Sequence, residues 1–149
     1  MVRKHLVALD GKFHAERAFD WYLENFYRDG DEVVIFHCSQ FELHVGLPGM
    51  AVNVEAVSKQ VTQAKDKAEA ITQKATETLR LKGIKGYVVL KSGSKPEDLI
   101  NQVVDEENVN HVFMGTRDLG SIQRAFVGSV STAVARSCKV PVTIVKIKE

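Results

Sequence analysis

Apolar runs and amphipathic stretches alternate along this chain from one end to the other. His5-Leu-Val-Ala-Leu9 is a short apolar run closed by Asp10-Gly11, the pattern of a buried strand. Ala15 to Tyr27 has helical spacing. Ala18, Trp21, Tyr22 and Phe26 fall on one face, and Glu16, Arg17, Asp20 and Glu24 on another. Asp29-Gly30-Asp31 breaks that helix, and Glu32 to Cys38 reads as a second buried strand. The longest helical pattern runs from Val54 to Leu81, with Val57, Val61, Ala64, Ala68, Ile71, Ala75 and Leu79 stepping by three or four; Gly83 ends it. Tyr87 to Leu90 is a third strand. Ser94-Lys-Pro-Glu-Asp then opens a helix reaching about Glu107, with Ser94 expected as its cap, Pro96 in the first turn, and Glu97 and Asp98 at the positive end. His111 to Met114 is a fourth strand ending at Gly115. Ser129 to Ser137 is the last helix and Val140 to Ile147 the last strand.

Five strands alternating with four helices predict an α/β fold. The expected form is a doubly wound, open five-stranded parallel sheet, Rossmann-like, with helices on both faces and right-handed crossovers. Neither a repeat nor a linker divides residues 1–149, so a single domain is expected. Residues 39–53 form a long connection with breakers at Gly46, Pro48 and Gly49; Phe41, Leu43, Val45, Leu47 and Met50 suggest that it packs on something.

Composition narrows the class. The 149 residues are 44% apolar and 26% charged, which suits a globular domain and excludes a disordered chain. A formal charge of +1 supplies no general attraction to nucleic acid or anionic lipid, and neither is expected as a partner. The apolar run after Met1 meets Asp10 too soon for a signal peptide, and no stretch approaches the roughly 18 apolar residues of a membrane span. Cys38 and Cys138 form no CxxC pair, which fits a reducing, cytoplasmic setting.

In an open parallel sheet the ligand sits at the carboxyl ends of the strands, near a switch in strand order. The segments there are Asp10-Gly11, Cys38-Ser39-Gln40, and Gly115 to Ser131. In the last, Gly128, Ser129 and Val130 would present free amides at a helix N-terminus, where phosphate is favoured. Ser129 and Ser131 add hydroxyls; Arg117 and Arg124 add charge. A plain turn with an N-cap is the alternative for the same residues. Asp10 fits a ligand contact and a strand-end Asx turn equally well. Cys38 reads as a small buried residue more readily than a redox centre, and His37, inside an apolar strand, as a hydrogen-bonded structural histidine. The five histidines show no zinc spacing. Ser92-Gly-Ser-Lys95 is too short to imply a nucleophile. Neither a Walker A loop nor a GxGxxG fingerprint occurs. No lysine is placed by the sequence in a loop wrapping a triphosphate, and no water-activating base stands out, so any hydrolysis would be slow.

Taken in order, the first strand with Asp10-Gly11, His37-Cys38, Met114-Gly-Thr-Arg117, Gly128-Ser-Val-Ser131 and Val140-Pro-Val-Thr-Ile-Val145 resemble the universal stress protein family over nearly the whole chain. The resemblance implies a fold like that of the adenine nucleotide alpha hydrolases, and a stress-response module binding ATP or AMP, with Mg²⁺ accompanying ATP. Nucleotide-binding members carry a Gly, two residues, a Gly, nine residues, then Gly-Ser or Gly-Thr. Here Gly115 and Gly128-Ser129 keep the spacing, and Asp118 stands at the middle glycine. If that position needs a left-handed backbone, Asp bears it at some cost, and Gly120 would supply part of the lost freedom. By position, the resemblance places Ala8, Leu9 and Asp10 at the adenosine, Cys38 at the adenine edge, and Gly115, with Arg117 and Asp118 following it, at the ribose and phosphates. It places Gly128, Ser129, Val130 and Ser131 on the phosphates. It also implies a homodimer through Val142 to Ile147. A slow ATPase, and an interaction protein that binds no nucleotide, are the competing readings.

Overall fold

A computed structural model describes residues 1–40, 51, 53–118 and 128–148. The elements are β1 (Lys4–Ala8), α1 (Phe13–Asn25), β2 (Glu32–Ser39), α2 (Val54–Leu81), β3 (Gly86–Ser92), α3 (Pro96–Glu106), β4 (His111–Asp118), α4 (Ser129–Ser137) and β5 (Val142–Lys148). The five strands form one parallel sheet in the order β3-β2-β1-β4-β5. The expected α/β architecture is therefore the observed one. The chain winds outward from β1 through β2 to β3, then returns to the other side of β1 for β4 and β5. The switch in strand order lies between β1 and β4.

The two-residue period of the strands divides the core between the two faces of the sheet. Val7 of β1, Val33 and Ile35 of β2 and Phe113 of β4 pack with Phe19 and Tyr22 of α1 and Ile71, Ala75 and Leu79 of α2. Their neighbours Leu6, Val34, Phe36, Val112 and Met114 pack on the other side with Ile100, Val103 and Val104 of α3 and Val134 of α4. A strand buried on both faces reads as a continuous apolar run, which is why the sequence marks β1 and β2 so plainly.

Several expectations change in detail. Trp21, placed on the buried stripe of α1, is 37% exposed; Phe19 takes the core position. In α2 only the stripe from Ala68 onward is buried, while Val54 and Val61 are exposed. A 28-residue helix is about 42 Å long and a seven-residue strand only about 23 Å. The N-terminal half of α2 therefore overhangs the sheet. Asn53 caps it, its Oδ1 accepting the Ala56 N–H at 3.2 Å. Ser94 does not cap α3: the N-cap is Lys95, without a side-chain cap bond, and Pro96 begins the helix. β5 starts at Val142, two residues later than expected, because Pro141 has no N–H to give to a ladder. The apolar positions of 41–50, and Gly120 and Arg124, lie outside the described residues.

β4 departs most. It was expected to end at Gly115, but it continues to Asp118, pairing Gly115 with Val145, Thr116 with Lys146, Arg117 with Ile147 and Asp118 with Lys148. Gly115 is thus a mid-strand residue. A Cβ there would lie 2.5 Å from the His14 carbonyl oxygen and 2.9 Å from the Ala18 Cβ, so the glycine lets α1 press against β4. Asp118 stands in extended strand backbone, so this position makes no demand for the left-handed conformation that glycine supplies.

Candidate functional site

A cleft of about 410 Å³ opens at the carboxyl ends of β1 and β4, at the switch in strand order. Its size is in the range of small-molecule sites. Ala8, Leu9, Asp10, Lys12 and His14 reach it from the β1–α1 turn, and Phe36, Cys38 and Gln40 from the end of β2. Met114, Gly115 and Thr116 line it from β4, Gly128 to Ser131 from the start of α4, and Pro96 and Ile100 from α3.

The turn after β1 is held from both sides. The Leu9 N–H donates to the Phe36 carbonyl at 2.8 Å, and the Leu9 carbonyl lies 2.8 Å from His37 Nδ1. His37 is buried, so the structural reading of that histidine stands. Asp10 Oδ1 accepts the Lys12 N–H at 2.8 Å, closing an Asx turn over Gly11, whose φ of +79° suits glycine. Asp10 Oδ2 faces His14 Nε2 at 3.5 Å, and the Asp10 side chain is still 45% exposed. The Asx turn is therefore present, its second carboxylate oxygen is the one beside His14, and Asp10 lines the cleft.

At the opposite wall Gly128 is the N-cap of α4, with no side-chain cap bond. The first internal bond runs from the Thr132 N–H to the Gly128 carbonyl at 2.9 Å. The amides of Ser129, Val130 and Ser131 precede it and have no carbonyl within the helix to donate to. The Gly128 N–H points to Thr116 Oγ1 at 3.5 Å. Among the described residues a Cβ on Gly128 would meet Thr116 Oγ1 at 3.7 Å and Ser131 Oγ at 3.9 Å, and φ is −47°, so neither backbone strain nor crowding by those residues calls for glycine here.

Cys38 sits where β2 passes the end of β1. Ala8 is in register with Phe36, whose carbonyl faces β1, and alternation turns the backbone groups of Cys38 to the same side. Its thiol donates toward the Gly93 carbonyl at 3.8 Å, and burial pushes its pKa up. That disfavours thiolate and with it redox chemistry. Both cysteines are free.

Of the residues expected at a site, Ala8, Leu9, Asp10, Cys38, Gly115, Gly128, Ser129, Val130 and Ser131 share this cleft. Arg117 and Asp118 occupy the last two positions of β4. Gln40 and Thr116, inside the segments expected at the strand ends but not singled out, also line it, and so do Lys12, His14 and Pro96, which were not foreseen. Ending the strand at Gly115, three residues early, hid the place of Thr116 on β4. Lys12 follows Asp10-Gly11, and nothing in the sequence itself sets it on the cleft wall, where the structure has it beside the Asx turn. Among the described residues, no group of three His, Cys, Asp or Glu side chains comes together to hold a metal.

The model of the universal stress protein family matches residues 1–146. This chain belongs to the universal stress protein family. Among the relatives of this family member is a Thermus aquaticus protein described as a universal stress protein in the QAH/OAS sulfhydrylase 3′ region. It is 27% identical over 146 residues, covering 98% of this chain and all of the relative. A universal stress protein family structure from Arabidopsis thaliana, solved with AMP bound, superposes with a TM-score of 0.72 at 20% identity, covering 97% of this chain and 91% of that one. A universal stress protein solved with cAMP superposes with a TM-score of 0.54 at 20% identity, covering 96% and 95%. These superpositions show the shared fold. No helix among the described residues is long and apolar enough to cross a membrane.

Proposed function

We propose that the cleft binds an adenine nucleotide, AMP or ATP, and that this family member acts as a nucleotide-dependent regulatory module in the stress response. The observation that carries the reading is the start of α4. Three amides without helical acceptors open onto a cleft at the switch point of a parallel sheet. Free N–H groups and the positive end of the helix dipole together favour a phosphate there. Leu9, Phe36 and Ile100 give the rest of the cleft an apolar wall for a base, and the backbone of Cys38 offers hydrogen bonds at its edge. The AMP and cAMP bound by two structures of the same fold support the same ligand class.

With ATP, Mg²⁺ would ride chiefly on phosphate oxygens, as this ion does when protein ligands are few, and among the described residues Asp10 is the carboxylate on the cleft wall that would join it. Slow ATP hydrolysis is the enzymatic form of this proposal. Phosphoryl transfer needs an aligned water as well as charge neutralisation, and product formed at a rate lost in a site variant would establish it. The homodimer would form through Val142 to Ile147 of β5, which lies at the edge of the sheet. The free cysteines fit action in the cytoplasm.

The test is calorimetric titration of nucleotide-free protein with AMP, and with ATP plus Mg²⁺, beside Gly128→Glu. Among the described residues nothing lies closer than 3.7 Å to a Cβ at Gly128, so this variant is expected to fold and to set a carboxylate against the α4 amides. Saturable binding that Gly128→Glu abolishes supports the proposal. Absence of heat with both ligands at two temperatures would overturn it in favour of an interaction protein that binds no nucleotide.

A further inference from the structure

We infer that Lys12 makes the cleft prefer a ligand with a chain of phosphates over one with a single phosphate; this rests on the nucleotide reading above.

The first observation is local. Lys12 is the N-cap of α1, and no side chain caps that helix. N-cap positions favour Ser, Thr, Asp and Asn, whose oxygens satisfy a free amide, and a cation at the positive end of a helix is repelled by its dipole. A lysine at this position forgoes stability that a serine would supply. Residues that break a local rule in this way are expected where function requires them.

The second observation is placement. Lys12 lines the cleft from the turn after β1, and the α4 amides line it from the segment after β4, the neighbouring strand. The Asx bond to Asp10 uses the Lys12 backbone N–H, so the Lys12 side chain, exposed and on the cleft wall, is not engaged by Asp10. Lys12 has no ion-pair partner among the described residues, and Asp10, the nearest acid in sequence, is directed at His14 instead. An unneutralised ammonium on a flexible stem thus stands across from the phosphate-binding helix terminus.

Chemistry then assigns the roles. The three α4 amides suffice for one phosphate group. A second or third phosphate adds charge that those amides do not meet, and among the described residues Lys12 is the one lysine or arginine that lines the cleft. AMP would engage the amides without needing Lys12.

The experiment uses the full chain freed of nucleotide, in magnesium-free buffer, titrated with AMP, ADP and ATP. The variants are Lys12→Ser, Lys12→Gln and Lys12→Arg, with Lys95→Ser as control. Lys95 is likewise an uncapping lysine, at the start of α3, but does not line the cleft. Wild type is expected to bind ATP more tightly than AMP. Lys12→Ser and Lys12→Gln should lower that ratio by about five- to tenfold, with AMP affinity held within about twofold, while Lys12→Arg and Lys95→Ser keep it. An ATP to AMP ratio unchanged by Lys12→Ser and Lys12→Gln, or an equal loss for both ligands, overturns the role of Lys12 and leaves the nucleotide site intact. Failure of wild type to bind any of the three overturns the nucleotide reading and this inference together.

Discussion

The Nδ1 atom of His37 lies 2.8 Å from the carbonyl oxygen of Leu9, tying β2 to the turn that carries Asp10. A carbonyl only accepts, so Nδ1 bears the proton and donates. Both residues are buried. His37→Phe leaves the Leu9 carbonyl without that donor and should lower unfolding free energy by about 1–3 kcal/mol, read from urea midpoints. Because the same carbonyl positions Asp10, nucleotide affinity should fall as well. His37→Asn, which keeps a donor, should recover part of both.

Gly115 and Gly128 stand at the two ends of the same motif, and the structure separates their roles. At Gly115 a methyl would meet the backbone of α1 at 2.5 Å, which only a displacement of the helix can relieve. Gly115→Ala should cost more than about 2 kcal/mol by denaturant unfolding. At Gly128 the same methyl finds, among the described residues, ordinary contacts of 3.7 and 3.9 Å. Gly128→Ala should stay within about 0.5 kcal/mol of wild type. Equal costs at both positions would refute the division between a packing glycine and a site glycine.

The edge strand offers a test of assembly. The Val112 N–H bonds the Pro141 carbonyl at 3.0 Å, so alternation turns the backbone groups of Thr143, Val145 and Ile147 toward β4 and those of Val142, Ile144 and Lys146 outward. Lys146→Pro removes an outward donor and spares the ladder to β4. Light scattering on wild type should give a dimer mass and on Lys146→Pro a monomer mass, with unchanged far-ultraviolet circular dichroism. A monomeric wild type at high concentration would refute the β5 dimer.

How far the fold and the site could be read in advance depends on where side chains carry the signal. β1 and β2 are apolar on both faces, and their runs announce a parallel sheet without further help. The end of β4 carries no such mark, because Thr116, Arg117 and Asp118 extend past the core and are held by pairing with β5. Trp21 has the spacing of a core residue, but α1 faces the sheet through Ala15, Ala18, Phe19 and Tyr22, so spacing alone chose the wrong edge of the stripe. The α4 terminus was legible because glycine and serine before a helix have a direct chemical meaning. Lys12 was not, because its place in the cleft is set by a turn two residues long rather than by any property of lysine.

A buried histidine at the far end of the sheet should make stability depend on pH. His5 is 1% exposed, with Nδ1 at 2.8 Å from the Tyr22 hydroxyl and 3.9 Å from Asp31 Oδ2. Burial lowers its pKa to about 4; the Asp31 carboxylate opposes this, and Arg3 and His111 add to it. Arg3 holds Asp31 in turn, with Nε donating to Oδ1 at 2.8 Å, and Asp31 stays ionised across the window concerned. An unfolded histidine titrates near 6.5, so between that value and about 4 the unfolded chain binds a proton that the folded chain refuses. The stability that neutral His5 provides is complete above about pH 6.5 and declines as pH falls toward 4, by at most about 3 kcal/mol. His111, also lowered by burial, acts in the same direction. Urea midpoints should therefore fall between pH 7 and pH 5. In His5→Gln, which keeps a partner for Tyr22 without a titrating group, the fall should be shallower. An equal fall in both proteins would assign the dependence to other groups.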